Sequence, residues 1–154
     1  MEVSVKKWLV VLISVFALSG AASAQNFTIG FNLGGAFGSG AALDVNGNFT
    51  VKELVSFSRT VSLGLRVNLD LFVPGVAFAF TVGPQFNFDL GAVNLYTGFG
   101  LGLVVQGGAA FAFTLLGGVE YPLNRQINLV GEFLIGFYGG GALFGIRGGI
   151  SFNL

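Results

Sequence analysis

Neither cysteine nor histidine occurs anywhere in the 154 residues. Disulfide staples, Cys/His zinc sites and catalysis by an activated thiol or imidazole are therefore excluded. Charge is almost as scarce: Asp, Glu, Lys and Arg together supply 9% of the chain, against about 25% in an average protein. A water-facing surface needs roughly 25–35% charged residues, so this chain cannot coat a soluble domain of its size. The formal net charge is zero, and a basic surface for nucleic acid is missing. What the sequence has instead is 53% apolar residues, 18 Phe and 26 Gly. Disordered chains are poor in aromatics and rich in charge, so this composition folds.

Lys6 and Lys7 precede an apolar run from Trp8 to Leu18, which gives way to the small residues Ala22-Ser23-Ala24. That is the order of a secretory signal peptide: basic, apolar, small-x-small. The run is well short of the roughly 20 residues a spanning helix requires. Cleavage is expected before Gln25, leaving residues 1–24 as leader and 25–154 as the mature domain.

From Asn26 onward the hydrophobic period is two, the period of a strand with one apolar face. In 26–37, Phe27, Ile29, Phe31, Leu33 and Phe37 alternate with Asn26, Thr28, Gly30, Asn32, Gly34 and Ala36. The pattern recurs in 41–52, 60–72, 76–90, 93–105, 109–121, 126–138 and 142–154. Exceptions on the polar face are Val104, Leu116, Val130, Leu134 and Leu143, scattered through the sequence. Turn chemistry separates the segments: Gly38-Ser39-Gly40, the polar stretch Ser56–Arg59, Val73-Pro74-Gly75, Gly91-Ala92, Gln106-Gly107-Gly108, Pro122–Arg125 and Gly139-Gly140-Gly141. Asn46-Gly47 is a possible hairpin turn by composition, but the alternation passes through it without a phase change, which places it mid-strand.

Volume decides which face points inward. Phe16 falls in the leader, and every other Phe except Phe57 and Phe72 stands on the apolar face. An eight-stranded barrel has an interior only just wide enough for side chains to fill it, so that bulk cannot be enclosed as it is in a soluble lipocalin-type barrel. The opposite face, largely Gly, Ala, Asn, Ser and Thr, suits a narrow lumen. The large residues therefore face outward, and their solvent is lipid, because an apolar sleeve in water would aggregate. Hydrocarbon offers no partner for a bare strand edge, which demands closure. The expected fold is all-β: an eight-stranded antiparallel up-and-down transmembrane β-barrel with both termini on the periplasmic side.

A cleaved leader, eight alternating segments and the last strand Ile146-Arg147-Gly148-Gly149-Ile150-Ser151-Phe152-Asn153-Leu154 resemble the small outer-membrane barrels of the OmpA/OmpX type, and Tyr121–Arg125 is similar to a short periplasmic turn of that group. The resemblance spans the mature chain as a pattern. It implies location in the outer membrane after export, with outer-membrane lipids as solvent. It also implies recognition of Ile150, Phe152 and Leu154 by the barrel-assembly machinery during insertion. The chain ends in Leu154 where that group usually ends in an aromatic. Its outward turns are short where relatives carry long loops, which argues against a receptor or adhesin role.

The inward charges are the candidate site. Arg66, Glu132 and Arg147 fall near mid-height, with Glu132 and Arg147 on neighbouring strands and Arg66 across the lumen. Unpaired charge in a narrow core is costly, so they are expected to pair. The plain reading is a structural salt bridge filling the lumen. The sharper one is a gate, similar to the internal ion-pair switch of the OmpA barrel. Asp44 and Asp70 are expected at the outer mouth as solvated carboxylates; two carboxylates are thin support for Ca²⁺, which takes about 6–8 oxygens, and no metal or cofactor is implied. Asp89, Glu120, Lys52, Arg59 and Arg125 mark the periplasmic water boundary. The inward glycines Gly98, Gly100 and Gly102 read as close backbone packing and curvature in preference to a water path. With no His, the chain is not expected to be an enzyme. The functional reading is a structural, anchoring or partner-binding barrel, the alternative being a narrow pore for small solutes gated by the ion-pair cluster.

Overall fold

A computed structural model describes residues 27–154; the expected leader, residues 1–24, and its expected cleavage site before Gln25 lie outside the described residues. The chain forms eight strands: β1 (Phe27–Phe37), β2 (Ala41–Ser56), β3 (Val61–Val73), β4 (Ala77–Asp89), β5 (Asn94–Val105), β6 (Ala109–Pro122), β7 (Ile127–Tyr138) and β8 (Gly141–Asn153). Each pairs antiparallel with its neighbours in sequence, and β1 pairs with β8 from Thr28↔Asn153 to Phe37↔Phe144, closing the barrel. Asn46-Gly47 lies inside β2, where Asn46 pairs with both Asn32 and Asp70.

Closure satisfies every strand edge, the requirement hydrocarbon imposes. The outer surface is apolar from end to end. Phe111 is 62% and Ile146 58% exposed, whereas inward Thr81 is fully buried. A single cation on this sleeve has no partner and no water. Leu101→Arg, near the middle of β5, is expected to cost about 2–4 kcal/mol in urea unfolding from lipid. The same substitution at Leu123, in the turn after β6, is expected to cost less than about 1 kcal/mol.

The two ends differ in chemistry. At the end away from the described termini the turns are Gly38-Ser39-Gly40, Pro74-Gly75-Val76, Gln106-Gly107-Gly108 and Gly139-Gly140, without one charge. Gly107, Gly139 and Gly140 have positive φ there, the backbone region glycine tolerates best. At the other end, turns are closed by polar side chains: Asn124 Oδ1 accepts from the amides of Gln126 and Ile127 at 2.8 and 2.9 Å, and Asp89 Oδ1 from that of Gly91 at 2.8 Å. Glu53, Arg59, Asp89 and Arg125 stand at this charged end.

β2 runs longer than the sequence pattern indicates. Pairing with β3 jumps from Val51↔Leu65 to Val55↔Leu63, so residues 52–54 oppose Gly64 alone. Lys52, inward by the same parity as Asp44 and Thr50, opens this bulge, and its carbonyl accepts from Ser62 Oγ at 3.0 Å and Asn87 Nδ2 at 2.7 Å. Beyond it the strand continues to Ser56 in the same phase, Val55 opposite Leu63 and Ser56 opposite Ser62; the exposed Glu53 and Leu54 inside the bulge break the alternation and hide this continuation from a period-two reading.

The lumen is filled in layers. At the neutral end Ala36, Phe72, Ala77, Ala79, Val104 and Ala112 pack together with Tyr138 and Leu143. Beside the mid-height charges, Leu116, Val130 and Leu134 pack with Tyr96 and Leu143. The apolar exceptions scattered in sequence are thus gathered in space. Gly98, Gly100 and Gly102 sit where a Cβ would meet Pro84 or Phe80 backbone or the side chains of Thr81 and Thr114, in keeping with close packing of β4 and β5.

Candidate functional site

Register assembles the charges. One inward-facing row runs Tyr96↔Gly118↔Glu132↔Arg147↔Gly34↔Asp44 through β5, β6, β7, β8, β1 and β2. Two glycines in that row act as spacers. The Tyr96 ring lies across Gly118, where a Cβ would overlap it, and so reaches Glu132. Arg147 passes beside Gly34 to reach β2 and β3.

Glu132 is the hub. Its Oε2 accepts from Tyr96 Oη at 2.7 Å and pairs with Arg66 Nη1 at 2.6 Å. Its Oε1 accepts from Arg147 Nε at 2.5 Å and also pairs with Arg147 Nη2. Arg147 Nη1 meets Asp70 Oδ1 at 2.5 Å and Asp44 Oδ2 at 3.1 Å. Arg66 donates from Nε to Asn68 Oδ1 at 2.7 Å and stands 5.4 Å above the Tyr96 ring. Asn46 ties Asp70 to Asn32, donating to the first at 2.7 Å and accepting from the second at 3.0 Å.

Arg66, Glu132 and Arg147 therefore come together in one buried cluster. Asp44 and Asp70 do not sit at the outer mouth: they are 1% and 2% exposed and belong to the same cluster. Counting residues from a turn gives height along one strand, but tilt and stagger set height in the barrel, and Arg147 spans the distance that remains. Glu120 is likewise no boundary residue. It is buried, paired with Lys52, and lies near Ser151 in the polar layer on the charged side. Tyr96 was missed because only the register shows it facing a glycine with a carboxylate beyond.

Chemically, the cluster is a cross-brace. Two guanidiniums face three carboxylates, so it carries one surplus negative charge in formal terms and links β2, β3, β5, β7 and β8. Geometry of this kind fills and rigidifies; among the described residues no group of three or more acidic side chains is arranged to hold a metal ion. Recesses remain on either side. The one at the neutral end has a volume of about 350 Å³, the one at the charged end about 210 Å³.

No family model matches the chain, and no curated protein matches it in sequence. Solved structures do match in shape. A designed transmembrane β-barrel superimposes with TM-score 0.63 at 14% identity, covering 84% of this chain and 96% of that one. The N-terminal β-barrel domain of Pseudomonas aeruginosa OprF gives 0.58 at 13%, covering 84% and 98%. Neisserial surface protein A gives 0.57 at 15%, covering 83% and 96%. The chain has the fold of the small OmpA/OmpX-type membrane barrels. In that fold the apolar sleeve is the lipid face and the cluster occupies the lumen. The strand count and closure expected from the alternation are those observed. At these identities the likeness is one of fold.

Proposed function

We propose that this OmpA/OmpX-type barrel is an integral protein of the outer membrane with a structural, anchoring or partner-binding role and no catalytic step. One observation supports the reading above others: the lumen is crossed at mid-height by a buried ion cluster in which each charged side chain has at least one partner of opposite sign, with a packed apolar layer against it. A lumen filled in that way stabilises a barrel and offers no open path. Signal-directed export, insertion by the barrel-assembly machinery and the use of outer-membrane lipids as solvent belong to the same proposal. Ile150 and Phe152 stand on the lipid side of β8, and Leu154 is exposed just beyond its end, where an assembly factor could read them. The neutral turns face outward in this reading, and their shortness leaves little surface for a large partner on that side.

A second reading has its own support. Recesses lie on both sides of the cluster, so only the cluster and the apolar layer separate two wet ends. A narrow pore gated by rearranged Arg66, Glu132 and Arg147 pairs would use that arrangement. Planar-bilayer recording separates the two. The structural reading expects no discrete openings from the purified barrel, and none from Glu132→Ala beyond those of a destabilised protein. Regular openings in the parent protein whose conductance changes in Glu132→Ala would replace the structural reading with the gated pore.

A further inference from the structure

We propose that the recess at the neutral end binds a small uncharged aromatic molecule, of about the size of naphthalene. The argument starts from the walls. Ala36, Ala42, Ala77, Val104 and Leu143 line the sides, and Phe72 with Tyr138 forms the floor. The two rings meet edge to face, with centroids 5.6 Å apart and planes at 61°. An aromatic floor presents both a ring face and a ring edge, the surfaces that offset-stacked and edge-on contacts use.

Size comes next. The recess has a volume of about 350 Å³, at the lower end of the roughly 300–1,000 Å³ typical of ligand pockets. An apolar cavity of about 150 Å³ stays dry and takes up benzene, so this one suits a fused pair of rings. Small alanines make the space: three of them line a lumen wall that Leu or Phe would fill.

Charge then selects the ligand. The turns around this mouth carry no Lys, Arg, Asp or Glu, and Gln106 Nε2 is engaged with the Gly75 carbonyl at 3.0 Å. A charged molecule would lose its hydration here without meeting an opposite charge, since the unpartnered buried polar atom of the lining, Tyr138 Oη, belongs to a neutral phenol. The recess at the opposite end is the reverse, lined by Lys52, Glu53, Arg59, Asp89 and Glu120. The barrel thus offers an apolar cup on one side and a charged one on the other. The cup lies on the neutral side of the cluster, so its binding is independent of whether the cluster gates a pore.

The test uses the mature barrel in lipid nanodiscs with methyl-labelled alanine and leucine, titrated with naphthalene and followed by NMR. Saturable shifts are expected at Ala36, Ala42 and Ala77. Leu103 and Leu129, on the lipid face, report simple partitioning. Ala77→Leu or Ala42→Leu, each filling the cup, is expected to weaken binding by about tenfold or more. Naphthalene sulfonate is expected to bind the parent protein about tenfold or more weakly than naphthalene. The proposal is overturned if shifts appear only at Leu103 and Leu129. It is also overturned if they fail to saturate, if the sulfonate binds as well as naphthalene, or if a folded Ala77→Leu or Ala42→Leu barrel binds as the parent does. The sulfonate comparison needs no variant, so the outcome does not depend on either one folding.

Discussion

Glu132→Gln is expected to lower the unfolding free energy of the lipid-embedded barrel by about 3–5 kcal/mol, the usual cost of removing one partner from a buried ion pair. The loss falls on Arg66. Arg147 keeps Asp44 and Asp70, whereas Glu132 is the only carboxylate paired with Arg66 among the described residues. What remains around Arg66 is neutral: Asn68, Gln85 and the Tyr96 ring. Adding Arg66→Met to Glu132→Gln removes the stranded charge and is expected to restore at least about 2 kcal/mol. Asp44→Asn behaves differently. The cluster holds one carboxylate more than it has guanidiniums, and an Asn oxygen still accepts from Arg147. That variant is expected to stay within about 1 kcal/mol of the parent. Urea titration of the parent and the three variants in the same bilayer, read by gel mobility of the folded barrel, gives the order. If Asp44→Asn proves as costly as Glu132→Gln, the cross-brace has no hub.

The fold was legible because lipid enforces a rule at every second residue. Phe27, Phe31, Leu69, Phe78 and Leu103 had to lie on one face whatever their partners, and the turns had to fall where alternation stopped. The strand ends follow to within a residue or two, except at β2. There the bulge at 52–54 puts Glu53 and Leu54 out of pattern, so the in-phase Val55 and Ser56 beyond them no longer read as continuation. The candidate site was legible only as a list. Inward parity identified Arg66, Glu132 and Arg147, because charge on the small-residue face has nowhere else to go. Their partners depend on register between distant strands, above all Gly34↔Arg147 across the closing seam. No local pattern encodes that pairing. Asp44 and Asp70 were placed at the mouth for this reason, and Tyr96 was left out for the same one. Leu116, Val130 and Leu134 look like lapses of pattern along the chain, yet they form one packed layer beside the cluster.

Register also reverses the ordinary meaning of a glycine in a strand. Gly weakens a strand, and a β-branched apolar residue in its place normally strengthens it. On that view Gly34→Val and Gly47→Val should act alike. The structure separates them. At Gly47, on the lipid face of β2, no heavy atom lies within 4 Å of an added Cβ, so Val extends the apolar sleeve and is expected to stabilise by up to about 1 kcal/mol. At Gly34 an added Cβ would overlap the Ile146 carbonyl oxygen and the Arg147 backbone, and a branched side chain would stand where Arg147 crosses to Asp44 and Asp70. Overpacking alone costs about 1–3 kcal/mol. Displacing Arg147 from its carboxylates adds to that, so Gly34→Val is expected to cost at least about 3 kcal/mol or to leave the barrel unclosed. Opposite signs at two glycines in paired neighbouring strands would tie the stability of the wall to the path of one arginine. Equal shifts in the same direction would mean that Gly34 is merely a weak strand residue and that Arg147 does not need the space.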